Sequence, residues 1–213
     1  MIRELPAMKS KRLILTTILV ATATLAAAGA SALELGGHDR DGTVVGLTFG
    51  HGWNSVDFTQ EGQPRNSSDT ISAFTGGARV GWARSDNLIA SIGIYGWKRS
   101  FFNNILPVSA YTFSFMLEGY FFPRGEGFWI KGGIGRGTLD FSATAALPQD
   151  SINFQESGWA YSTGAGYEFR VSDGTAVGLS YDLIYINVGD FGGFSDTNSI
   201  SHNLSLNFHF YVM

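Results

Sequence analysis

Residues 158–186, GWAYSTGAGYEFRVSDGTAVGLSYDLIYI, place rings and aliphatics on one parity and small or polar residues on the other. Odd positions carry Trp159, Tyr161, Tyr167, Phe169 and Val171, then Val177, Leu179, Tyr181, Leu183 and Tyr185. Even positions carry Gly158, Ser162, Gly164, Gly166, Glu168 and Arg170, then Gly178, Ser180 and Asp182. Side chains alternate faces along a strand, so the stretch predicts two strands with one hydrocarbon face and one small, polar face. Ser172-Asp173-Gly174 supplies the turn between them. A water-soluble barrel would have to pack several rings per strand inside and turn its glycines to water. A membrane barrel inverts this, with rings against lipid and small or polar residues inside.

Composition narrows the rest. The chain has 213 residues, no Cys, 15% charged residues, 28 Gly and 14% aromatics. Without thiols there is no disulfide scaffold and no Cys-metal site. Low charge with abundant rings argues against disorder. A formal charge of −4 carries no nucleic-acid footprint. Beyond residue 32 no apolar run approaches the roughly 20 residues of a transmembrane helix. The first 32 residues read as a secretory signal: Lys9, Lys11 and Arg12, an apolar core from Leu13 to Leu25, then Ala30-Ser31-Ala32. Cleavage is expected after Ala32, with Met8 as an alternative start, which gives a domain of residues 33–213. That domain holds ten basic and seventeen acidic residues, net −7.

Six more segments follow the alternation: 43–53, 73–82, 88–99, 109–121, 128–137 and 200–213, eight strands in all. The strand over 88–99 points Tyr95 and Trp97 inward with Ser91 and Gly93, and that over 128–137 points Trp129 and Lys131 inward. Residues 57–72, 100–108, 141–156 and 187–199 read as long polar loops, whereas 83–87, 122–127 and 172–174 are short turns. Long connections at one end and short ones at the other predict an eight-stranded antiparallel up-and-down transmembrane β-barrel.

YFFPRGEGFWIKGGIGRG (120–137) and GAGYEFRVSDGTAVGLSYDLIYI (164–186) resemble the hairpins of the small outer-membrane β-barrel superfamily, which includes the OmpA transmembrane domain, OmpX, the opacity proteins and OmpW-like porins. The resemblance implies a monomeric barrel in the outer membrane of a Gram-negative bacterium. It implies contact with outer-membrane lipid and lipopolysaccharide, and with the barrel-assembly machinery during biogenesis. It implies no single activity, because relatives span adhesion, envelope integrity and small-molecule passage. The superfamily's last strand carries an outward aromatic assembly signal. Here Phe208, Phe210 and Val212 stand in its place, and the chain ends on Val212-Met213 rather than on Phe.

Parity sends Arg79, Glu118, Lys131, Glu168, Arg170 and Asp182 into the lumen, three of each sign. An eight-stranded barrel has an interior just wide enough for side chains to fill. Charges inside it must pair, because an unpaired buried ion costs several kcal/mol. The set reads as a salt-bridge plug, with a gate that opens a narrow path for small solutes or lipophiles as the alternative. Trp53, Trp82, Phe121, Phe128, Trp159 and Phe169 fall near strand ends and read as aromatic girdles. Lys98 and Arg99 fall at the outer rim.

Catalytic signals are sparse. A lipid A-modifying hydrolase would need Ser, His and a carboxylate on the lipid side. Ser201 and His202, with Asp182 or Asp196, are the nearest set, but neighbours on a strand face opposite ways. His38, His51 and His209 have no zinc spacing. Loop acids such as Asp57, Glu61, Asp69, Asp140, Asp150, Asp190 and Asp196 suit Ca²⁺ but read as solvated, so neither cofactor nor metal is expected. A soluble lipocalin is the rival fold; Gly50-His51-Gly52-Trp53 misses its Gly-x-Trp, and the ring-rich outward face of 111–121 argues against it.

Overall fold

In the computed structural model, the described residues are 40–60, 63–66, 71–103, 106–125, 127–143, 152–191 and 194–212. Residues 1–32, expected to be a secretory signal, lie outside them. Eight long strands, β1 (Gly42–Gln60), β3 (Ile71–Ser85), β4 (Leu88–Asn103), β5 (Leu106–Phe121), β6 (Phe128–Ala143), β7 (Ile152–Ser172), β8 (Thr175–Phe191) and β9 (Phe194–Val212), pair antiparallel in chain order. A short arm, β2 (Gln63–Asn66), folds back on the end of β1. β1 also pairs with β9, from Thr43↔Val212 to Thr59↔Ser195, which closes the barrel.

The expected alternation decides the walls. Phe74, Val80, Trp82, Ile92, Phe115, Leu117, Trp159, Phe169 and Leu179 are each more than 40% exposed, a continuous apolar coat with no place in water. On the opposite parity, Tyr95, Trp97, Met116, Tyr120, Trp129, Leu139, Ile184 and Ile186 are buried. The coat has the height of a membrane. Trp159 and Phe169 bracket it on β7, and their ten-residue separation spans about 25 Å along the axis of a tilted strand.

The strands run further than the alternation indicated. β1 reaches Gln60, β4 reaches Asn103, β6 reaches Ala143 and β7 starts at Ile152, all inside segments read as loops. Beyond the coat the outward positions are no longer apolar, so pairing continues with no apolar period to betray it. The barrel therefore extends well past the apolar coat at its loop end.

Glycines on the inner parity make room for the rings and charges beside them. A Cβ on Gly166 would stand 2.4 Å from Cζ2 of Trp129 and 2.6 Å from the Leu179 carbonyl oxygen. One on Gly46 would stand 2.6 Å from Nε of Arg79. Gly166→Val is expected to cost about 1–3 kcal/mol through overpacking, read as a lower midpoint in urea unfolding of the refolded barrel.

Candidate functional site: the lumenal charge layers

The lumen is packed in layers. At the turn end, Glu168 on β7 is 1% exposed and its carboxylate collects donors from several directions. Arg40 donates to Oε1 through Nε (3.1 Å) and Nη2 (2.9 Å). Tyr211 donates its hydroxyl to both oxygens, at 2.8 and 3.0 Å. His209 Nδ1 lies 2.5 Å from Oε2, and Arg79 Nη2 contacts the opposite nitrogen, Nε2. A guanidinium can only donate, so His209 accepts at Nε2 and carries its proton on Nδ1, facing Glu168. Neutral His209 thereby links Arg79 to Glu168.

Arg40 also closes the mouth. It lies two residues before the start of β1 and is fully buried, with Nη1 donating to the carbonyls of Asp86 (2.7 Å) and Gly125 (2.9 Å). Those carbonyls belong to the β3–β4 and β5–β6 turns. Gly125 has φ +65°, a conformation that glycine adopts without strain. The guanidinium lies 3.8 Å over the ring of Phe122, itself fully buried. Asn87 donates to the Phe122 carbonyl (2.6 Å) and locks one turn to the next.

The second layer centres on Lys131 of β6. Its ammonium is 3.0 Å from Glu118 Oε1 and 2.9 Å from Asp182 Oδ1. The Asp182 contact is off the hydrogen-bond axis, a charge contact rather than an aligned bond. Glu118 accepts from the Tyr95 hydroxyl, from Tyr120 (3.2 Å) and from Ser162 (3.2 Å). Ser180 donates to Asp182 Oδ2 at 2.7 Å. Arg79 spans the two layers, with its guanidinium 4.5 Å over the Tyr120 ring. Arg40, Arg79 and Lys131 thus balance Glu118, Glu168 and Asp182, all six at most 6% exposed.

Above these layers the lumen divides. Toward β4–β8, Met116, Leu139, Ala160, Ile184 and Ile186 pack into an apolar block. Toward β1 and β9, the fill is a network of amides and hydroxyls: Thr48 donates to Asn207 (2.8 Å), and Asn54 donates to Ser199 (2.8 Å) and Ser201 (2.6 Å).

Five of the six charges assigned to the lumen by parity therefore meet in these layers, and Arg170 does not. A register shift between Arg170 and Ser172 ends regular pairing, and the half-exposed guanidinium donates to the carbonyls of Ser172 (3.2 Å) and Asp173. A bulge beside a turn re-aims the side chain that parity would point inward. Arg40 takes the third positive place. It precedes the first strand, where no alternation exists to report it.

The outward residues form two rings. Trp82, Phe121, Phe128 and Phe169 stand toward the turn end, and Trp53 and Trp159 toward the loop end. Trp53 stacks on His202, at 5.9 Å between centroids and 6° between planes, and the Tyr181 hydroxyl lies 2.6 Å from His202 Nδ1. Ser201 is buried in the lumen while His202 faces outward, so these two cannot act as nucleophile and base. Phe210 and Val212 project outward, at 39% and 59% exposure, and Phe208 is half-buried against Phe49. Among the described residues no three potential metal ligands cluster.

Among solved structures, the fold is similar to Ail, the attachment invasion locus protein of Yersinia pestis (TM-score 0.54, 14% identity, 80% of this chain and 99% of that one). Neisserial surface protein A is comparable (TM-score 0.53, 12% identity, 81% of this chain and 98% of that one). No curated protein matches the chain in sequence. The sequence profile named outer membrane protein beta-barrel domain matches residues 18–210. With that match and a closed barrel in an apolar coat, the chain belongs to the outer membrane protein beta-barrel domain family and resides in the bacterial outer membrane.

Proposed function

We propose that the chain is a non-conducting barrel that serves the cell envelope as a structural element or through its outer loops, and is neither a pore nor an enzyme. The carrying observation is the continuous fill of the lumen. Arg40 and Phe122 close the turn-end mouth, two charge layers follow, and Met116, Leu139 and Ile186 cap them, all five of these side chains at most 2% exposed. A water path would have to expose some of these groups. The strands that continue beyond the coat support the loop reading, since they carry a paired scaffold past the apolar band at the loop end.

Solute uptake tests this. Proteoliposomes carrying the refolded chain are expected to swell in isotonic arabinose no faster than empty vesicles. Swelling that rises with protein content would replace the closed barrel with the gated channel.

A further inference from the structure

At the loop end the wall is not paired all the way round. Strands β4 to β7 stay paired with one another as far as Asn103↔Leu106, Val108↔Ala143 and Ala143↔Ile152. β8, β9 and β1 do the same, as far as Phe191↔Phe194 and Thr59↔Ser195. Between β7 and β8 the ladder stops at Trp159↔Asn187. Residues 152–158 of β7 therefore pair with β6 and, on their other edge, with no described residue. They lie beyond Trp159, which ends the coat on β7, and Gln155, Glu156 and Ser157 are exposed. Glu168 donates its backbone N–H to Gly127 on the β6 side, and the β6–β7 register runs without a shift. Main-chain groups alternate edges along a strand, so Asn153, Gln155 and Ser157 turn their N–H and C=O groups to the free edge.

The neighbouring open edges are blunted. Beyond Phe74↔Lys98, β4 continues with Arg99 next to Lys98, and β2 carries Pro64 and Arg65. The pairing of β8 with β9 shifts register at Asn187/Gly189 and at Gly189/Phe191, with Gly189 at φ +75°. Charge, proline and bulges all discourage strand addition. Residues 152–158 hold no proline, no register shift and one charge, Glu156. The surroundings are acidic. One row, Trp159–Asn187–Asn198–Asp57, crosses β7, β8, β9 and β1. At and beyond it these four strands carry Glu156, Asp190, Asp196 and Asp57 and, among the described residues, no Lys, Arg or His.

We infer that the free edge of β7 takes up an extended, basic segment of a partner protein as an added strand. Asn153, Gln155 and Ser157 supply the main-chain hydrogen bonds, which give affinity without reading sequence. The four acids favour lysine and arginine in the incoming segment and repel aspartate and glutamate. This names a partner class for the loop-end role proposed above and rests on that reading. It does not depend on the lumen, so a failure to bind peptide and a conducting barrel are separate results.

Fluorescence anisotropy of a labelled nonapeptide of alternating lysine and threonine, titrated with the refolded full barrel in zwitterionic detergent, tests it. The native chain is expected to bind this peptide. The same peptide N-methylated at every backbone nitrogen keeps its charge and cannot form a ladder, and should bind at least about tenfold more weakly. A glutamate–threonine counterpart should bind at least about fivefold more weakly. Gln155→Pro removes a donor from the free edge and none from the β6 side, so the barrel should fold and bind at least about fivefold more weakly. Gln155→Thr keeps the N–H and should bind like the native chain. No binding of the lysine peptide, or equal binding of the glutamate one, would overturn the inference. Equal binding of the N-methylated peptide would also overturn it and leave a general acidic patch, as would equal binding by Gln155→Pro. The native-chain comparisons decide the matter even if Gln155→Pro fails to fold.

Discussion

Glu168→Ala is expected to destabilise the refolded barrel by about 3–5 kcal/mol, the cost of removing one partner from a buried ion pair. The carboxylate is the common acceptor for Arg40, His209 and Tyr211. Its loss strands a fully buried guanidinium at the mouth and leaves the His209 Nδ1 proton without an acceptor. Arg40 would lose its carboxylate partner, while the carbonyls of Asp86 and Gly125 and the Phe122 ring that remain beside it carry no net charge. The measurement is the urea midpoint, with the heat-induced gel shift as a check that the barrel still forms. Arg170→Ala, two residues along the same strand, removes a half-exposed guanidinium held by two turn carbonyls and the Tyr211 ring, and should cost only about 1 kcal/mol. If the two variants were equally stable, the turn-end layer would not hold the barrel together.

The second large effect belongs to Lys131→Met. The substitution keeps the side chain's length and removes its charge, leaving Glu118 and Asp182 as two buried carboxylates with no cation between them. Its cost should again be about 3–5 kcal/mol. Adding Asp182→Asn should recover part of it, because one of the two surplus charges then disappears. Glu118 would still accept from Tyr95, Tyr120 and Ser162, so the double variant should fold with a midpoint between native and Lys131→Met. Strict additivity of the two substitutions would contradict the coupling, since residues in one network do not behave independently.

Much of this architecture is legible from alternation alone. The outward positions of Trp159, Tyr161 and Phe169, the inward positions of Tyr95, Trp97, Trp129 and Lys131, and the burial of Glu118, Glu168 and Asp182 all follow from a period of two. Three features escape it for separate physical reasons. Arg40 lies before the first strand, so no periodicity covers it. Arg170 obeys the period in sequence but sits where the register slips, and its guanidinium turns to the carbonyls of the turn. His209 has inward parity, yet its partners Glu168 and Arg79 are 41 and 130 residues away. Such a link exists only once β9 has closed the barrel between β8 and β1, and no local spacing rule encodes it. Phe122 is a related case: it reads as part of a short turn, and the fold places it beneath Arg40 as a lid.

The replacement of Arg170 by Arg40 leaves the charge balance unchanged, since either supplies the third positive charge. It changes where the barrel is sealed. Arg40 ties the chain just before β1 to β7 and to two turns, so the seal forms only when the first strand, the turns and Glu168 are all in place. The layers above it then rest on a closed floor.

Planar-bilayer recording of the refolded chain tests the closed lumen most directly. The filled barrel predicts no discrete openings from folded, inserted protein. Reproducible unitary conductance from the native chain would contradict it, and would mean that the charge layers part to admit ions rather than holding the lumen shut.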